Sequence, residues 1–285
     1  GAGSEARLLG QMVVGGTQRN AVASDGWDFG SPNGVTHARI EVLAGGRLVN
    51  EWVDLGGWHP RAAHLNEQSF ADVVVSGAGS TWSIRGSALG GNDAVLAMGT
   101  QQRSTTTLTV SQGGLVQLQA PDARSAGLYL STGQGKSHVT LSDSGTRLEL
   151  KGVNANVSVG ASGGGSATLI VKDGALLTQE GSSWSQLTVG EIHSQGAMEI
   201  LGGGQVSGAR SVNIGSGGTG SLLIDGAGSL LSTERSGSFV GQLNVGPSGS
   251  GMLTVRNGGQ ASAFALQIGN GYGADRGEVL LEGVG

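Results

Sequence analysis

Cysteine is absent from the 285 residues, and proline occurs only four times. Without disulfides the chain must be stabilised by its core and by hydrogen-bonded ladders. That suits a protein exported unfolded across a bacterial envelope, and suits a cytosolic protein equally well. Four prolines beside 56 glycines exclude a collagen triple helix, which needs Gly at every third place with abundant Pro. Charge is scarce too. Only 13% of residues are charged while 37% are hydrophobic, so there is apolar area to bury and little self-repulsion to keep the chain open. The formal net charge is −5 and no run of Lys and Arg occurs. Nothing here offers a partner to nucleic acid or to an anionic membrane. No apolar run approaches the roughly 20 residues that span a bilayer, so this segment is not expected to be membrane-embedded.

What is abundant is glycine, and it recurs in a pattern. Short apolar strands end in glycine at Gly15, Gly56, Gly99, Gly160, Gly190, Gly215, Gly246 and Gly269, with Ser131 once in place of Gly. Successive anchors lie 41, 43, 32, 29, 30, 25, 31 and 23 residues apart. These are solenoid periods, and their unequal lengths imply variable loops on a constant rung. Each period has the same internal order. A Gly/Ser-rich turn leads to an alternating strand such as Leu222-Leu223-Ile224 or Met252-Leu253-Thr254-Val255. A tight turn follows, as at Asp225-Gly226-Ala227-Gly228 or Asn257-Gly258-Gly259, and then another short strand and the return to the next anchor. Alternation over three to five positions signals strand, and no window keeps apolar residues at helical spacing for three turns. One rung cannot bury its inward side chains alone, but stacking at ~4.8 Å buries them between neighbours. The expected fold is an all-β parallel β-helix, with three short strands per rung and about nine rungs. Aromatics, at 4%, are scarce because few fit inside a narrow prism.

Four stretches carry a family pattern. Val75-Ser76-Gly77-Ala78-Gly79-Ser80-Thr81-Trp82 is the fullest, and Ile224-Asp225-Gly226-Ala227-Gly228-Ser229-Leu230-Leu231 repeats it with Leu-Leu for Thr-Trp. Glu180-Gly181-Ser182-Ser183-Trp184 is a shorter echo, and residues 246–262 supply the other half of the unit. This resembles the Gly-rich repeat of autotransporter (type V secreted) passengers and of PEP-CTERM-type surface proteins. The resemblance covers residues 73–285 well and 1–72 loosely. It implies a right-handed β-helix, display at the cell surface from the outer membrane of a Gram-negative bacterium, and adhesion or aggregation. Both ends fall inside the same turn of the repeat, at Gly1-Ala2-Gly3-Ser4 and Gly283-Val284-Gly285. The expectation is therefore one β-helix segment over residues 1–285, excised from a longer passenger solenoid.

Candidate binding residues sit in the two longest connections, expected as edge loops at 17–37 and 57–72. They are Trp27, Asp28, Phe29, Trp58, His59, Arg61 and His64. Long loops on a rigid scaffold tend to carry function, and aromatic and Arg side chains anchor binding surfaces. The alternative is that the aromatic residues only fold the loops down onto the edge.

Catalysis is not expected. Glycoside hydrolysis needs two carboxylates roughly 5–9 Å apart. Asp54 and Asp93 lie in or near strands, Asp143, Asp173 and Asp225 lie at turns, and none has a carboxylate neighbour in sequence. Gly90-Gly91-Asn92-Asp93 partly matches a calcium-binding nonapeptide, but that site needs tandem copies and only one occurs. Gly133-Gln134-Gly135-Lys136-Ser137 lacks the first glycine of a phosphate loop and runs on into strand. Neither metal nor cofactor is expected. The sequence reads as an adhesin segment, partnered by a glycan or protein on a host or neighbouring cell or by its own kind. A passive stalk and a polysaccharide-cleaving β-helix are the alternatives.

Overall fold

The computed structural model describes residues 4–8, 11–14, 35–56, 68–86, 93–121, 123–233, 241–269 and 275–283. Among these residues there are 25 strands and no helix. They wind into a right-handed parallel β-helix. Nine strands stack on one face in chain order: Val35–Leu43, Gln68–Ser76, Ser104–Ser111, Lys136–Leu141, Ser166–Lys172, Gln195–Leu201, Thr219–Asp225, Ser250–Arg256 and Arg276–Glu282. The other sixteen strands form one folded sheet. Its order runs out along the second face and back along the third, because Arg147–Val159 and Leu176–Glu191 are long enough to turn the corner between them. Each rung thus contributes a strand to each of three faces, as expected from the repeat.

The core is built from ladders of like residues. On the nine-stranded face Val73, Leu108, Val139, Leu169, Met198 and Leu222 stand in one register row, all almost fully buried. Each such side chain contributes roughly 1.5–3 kcal/mol by leaving water. The second face settles how the motif copies align. Trp82, Val116, Leu148, Leu177, Val206 and Leu231 form one inward row. Leu231 therefore takes the place of Trp82, as the two motif copies imply. Trp82 is fully buried, and its Nε1 donates to Asn50 Oδ1 at 2.8 Å. One aromatic does fit inside, because a buried amide is there to satisfy its polar edge. The shorter echo is a correction. Trp184 lies within Leu176–Glu191, at the corner between the second and third faces, and is 40% exposed. It is not another copy of Trp82.

Two turn lengths join the nine-stranded face to the second one. The three-residue form, as in Asn257-Gly258-Gly259, takes φ of 51° and 82° at its first two residues and closes with Gly259 N donating to Arg256 O at 2.9 Å. Positive φ at both positions is what Asn-Gly and Gly-Gly pairs supply. The four-residue form ends in Ser80, Thr146 or Ser229, all fully buried or nearly so. Each of these hydroxyls accepts an N–H from the three-residue turn of the rung before: Gly45 N to Ser80 Oγ at 3.0 Å, Gly113 N to Thr146 Oγ1 at 3.0 Å and Gly203 N to Ser229 Oγ at 3.1 Å. Ser80 and Ser229 also donate to their own strand carbonyls, Ser76 O and Asp225 O, each at 2.7 Å. The Gly-Ala-Gly-Ser motif is thus a staple between rungs, satisfying a donor that the tight turn leaves open.

The expected loop boundaries also need correcting. Strands begin at Val35 and Gln68, inside the segments assigned to loop as 17–37 and 57–72. Among their outward residues are His37, Arg39, Glu41, Phe70 and Asp72, which obscure the inward Ala38, Ile40 and Val42 that pair in register with Ala71, Val73 and Val75.

Candidate binding face

Trp27, Asp28, Phe29, Trp58, His59, Arg61 and His64 all lie outside the described residues. Their segments connect Val14 to Val35 and Gly56 to Gln68, so along the chain they lead into the first two strands of the nine-stranded face. That face carries the candidate site that sequence reading missed.

Its outward side chains stand in straight rows. One row reads His37, Phe70, Thr105, Lys136 on successive rungs. The His37 and Phe70 rings stack with centroids 4.6 Å apart and planes 6° from parallel. The beginning of this row therefore holds its rings at the spacing of the strands beneath them. The next row reads Arg39, Asp72, Thr107, His138. Arg39 donates from Nε and Nη2 to Glu41 Oε1 at 3.0 and 2.7 Å, and its Nη1 lies 3.3 Å from Asp72 Oδ2. The hydrogen bonds to Glu41, aided by the charges of Glu41 and Asp72, hold the Arg39 guanidinium above its ordinary range. The Thr107 hydroxyl donates to Asp72. These exposed pairs add little to stability. What they do is fix two carboxylates and a guanidinium in place.

Two contiguous depressions open on this face. One, of about 420 Å³, is lined by His37, Arg39, Phe70, Asp72, Thr105 and Thr107. The other, of about 480 Å³, includes Gln68, Phe70, Gln102, Thr105, Gln134 and Lys136 in its wall. Phe70 and Thr105 belong to both, so the two form one groove across the first rungs. Aromatic area with a few converging polar groups is the usual make-up of a small-ligand site.

On the third face Asp54 is 1% exposed. Its Oδ1 accepts from Thr100 Oγ1 at 2.8 Å, and burial pushes its carboxyl up to about 6 against that bond. Three other acidic residues read from sequence hold neighbouring backbone or side chains. Asp93 Oδ1 accepts Ser125 N at 2.9 Å, and Asp143 Oδ2 accepts Gln112 N at 3.1 Å. Asp225 pairs with Arg256 at 2.9 Å and Asn257 at 2.8 Å, and these bonds, that of Asn257 foremost, hold its carboxyl below its ordinary range. Lys136–Leu141 is a strand, as the rejected phosphate loop required. Among the described residues no cluster of His, Asp and Glu has metal-binding geometry, and no helix is long and apolar enough to cross a membrane.

Comparison with known proteins finds no matching family model, no matching curated protein and no matching solved structure.

Proposed function

We propose that this chain is an adhesive segment of a bacterial surface protein. In this reading it is displayed outside the cell from a Gram-negative outer membrane. The first rungs attach, and the later rungs act as a rigid spacer. The supporting observation is the groove on the nine-stranded face, where exposed His37 stacked on half-buried Phe70, fixed charges and amide side chains converge on a hydrogen-bonded ladder of strands. Attachment to a glycan or protein on another cell, or to a second copy of the chain, sums many weak contacts along the solenoid. The glycine-cornered rungs toward the C-terminus favour a second reading, a passive stalk, for that part of the chain.

Clustering of beads coated with the full chain tests the proposal. Wild type is compared with Phe70→Ala/Gln102→Ala and with a variant whose 17–34 and 57–67 segments are replaced by Gly-Ser turns. Clustering lost in the groove variant assigns adhesion to the nine-stranded face. Clustering lost only in the second variant moves it to those segments. No clustering, and no attachment to cells, leaves the passive stalk.

A further inference from the structure

We infer that the groove is a slot for one ring of an acidic oligosaccharide, stacked on Phe70 with its carboxylate toward Lys136. This inference rests on the adhesive reading above and names its ligand.

The row His37, Phe70, Thr105, Lys136 carries the argument. His37 covers one face of Phe70. The other face looks along the row toward the next rung, where Thr105 is too short to reach it. Lys136 stands one rung further on, roughly 9–10 Å from Phe70 at the usual strand spacing. The missing bulk at Thr105 leaves a slot about one saturated ring thick between an aromatic wall and a cation. A pyranose presents a face of C–H groups, weakly positive and apolar, to the negative face of an aromatic ring. An aromatic side chain of a protein could stack there too, but the remaining walls favour a sugar. Gln68, Gln102 and Gln134 converge on the slot, all exposed, and each amide offers two donors and an acceptor to hydroxyl groups. The charge follows from the two cations in the wall, Arg103 and, in the row itself, Lys136. The carboxylates fixed beside the groove, Glu41 and Asp72, are already held by Arg39, and Asp72 by Thr107 as well. Lys136 forms none of the ion pairs among the described residues. A uronic-acid carboxylate supplies the partner.

Calorimetry on the full chain tests this with two probes that differ in one group: a β-1,4-linked mannuronate trisaccharide and the neutral mannotriose of the same linkage. Wild type should bind the acidic trimer more tightly. Lys136→Gln, at an exposed position, should bring the acidic trimer most of the way down to the neutral level. Phe70→Ala should weaken both roughly tenfold, the loss of one stacking contact. Thr105→Phe fills the slot with a third ring and should abolish binding of both while leaving the melting temperature unchanged. Equal affinity for the two trimers, binding of neither, or wild-type affinity in Thr105→Phe overturns the inference. Bead clustering by the same variants separates it from the adhesive reading. Acidic-trimer binding by wild type that Thr105→Phe abolishes while its clustering stays intact keeps the sugar slot and moves adhesion elsewhere. Clustering lost in Thr105→Phe without any acidic-trimer binding keeps an adhesive groove and removes the sugar.

Discussion

At the corner where the third face meets the nine-stranded one, the N-terminal rungs carry side chains and the C-terminal rungs carry none. One inward register row reads Ala71, Thr106, Ser137, Ala167, and then Gly196, Gly220, Gly251 and Gly277. In the first group Ser137 Oγ is a hub. It bonds Thr106 Oγ1 and Ser131 Oγ, each at 3.1 Å, and accepts Ser131 N at 3.0 Å. Ser131 occupies an anchor position with φ of 59°, and donates on to Ser166 O at 2.6 Å. In the second group the backbones close up. A Cβ on Gly220 would overlap the Val189 carbonyl and lie 2.5 Å from Gly215 N. One corner is filled by a hydroxyl network and the other by the main chain itself. The same rung geometry is therefore reached by two different packings, and only one of them has room for a methyl group.

The largest contrast should come from putting alanine into each version of that corner. Gly220→Ala forces the main chains apart and should cost roughly 2–4 kcal/mol. Ser137→Ala removes a hub but no space, and should cost about 1–2 kcal/mol. Urea unfolding of both variants reads the difference, and equal costs would mean that the two corners are not distinct packings. A smaller effect concerns the third face. There Asp54, Ala97, Tyr129, Ser158, Thr188, Asn213 and Asn244 share an outward row that is mostly buried. Its C-terminal members pair as amides, Asn244 Nδ2 to Asn213 Oδ1 at 2.8 Å, whereas its N-terminal member is a carboxylate. Asp54 sits at about 6 in the fold against an ordinary 3.8. A raised carboxyl contributes its stability below the ordinary value and loses it as pH climbs through the folded one. Asp54→Asn, which imports the amide of the other end, should stabilise the chain at neutral pH by on the order of 1–3 kcal/mol, with little gain below pH 4. Melting curves across pH 3.5–7.5 check this, and a pH-independent gain would assign it to something other than ionisation. The smallest effect should be the same at both ends. Ser80→Ala and Ser229→Ala each delete one staple hydroxyl and should each cost about 1 kcal/mol. Matching losses by thermal melting would confine the contrast between the ends to the corner and the third face. Unequal losses would show that it extends to the turns.

The fold was legible because its constraints are local. An anchor glycine and an Asn-Gly or Gly-Gly turn can be recognised in a single rung, and the Leu231-for-Trp82 exchange was visible in two aligned motif copies. Trp184 misled because Gly-Ser-Ser-Trp resembles the staple turn without standing at its corner. The candidate face was hidden by its spacing. His37, Phe70, Thr105 and Lys136 become neighbours only through the register of four strands whose rungs differ in length. The signal was present in the shared alternation of Ala38, Ile40 and Val42 with Ala71, Val73 and Val75, which the mixed outward residues between them, from His37 to Asp72, made resemble loop. The residues expected to bind, from Trp27 to His64, lie outside the described part of the chain. Their composition suggested contact, but no periodicity fixed where they point.

The staple hydroxyls also give assembly a direction. Ser80 and Ser229 are each oriented by a bond within their own rung, and their free lone pairs face the rung before them. A growing edge that faces the N-terminus therefore presents acceptors whose rotational freedom is already spent. A growing edge that faces the C-terminus presents main-chain donors that must wait for a hydroxyl still free to turn. Where these staples occur, nucleation toward the C-terminal end followed by growth toward the N-terminus has the lower entropic barrier at each step.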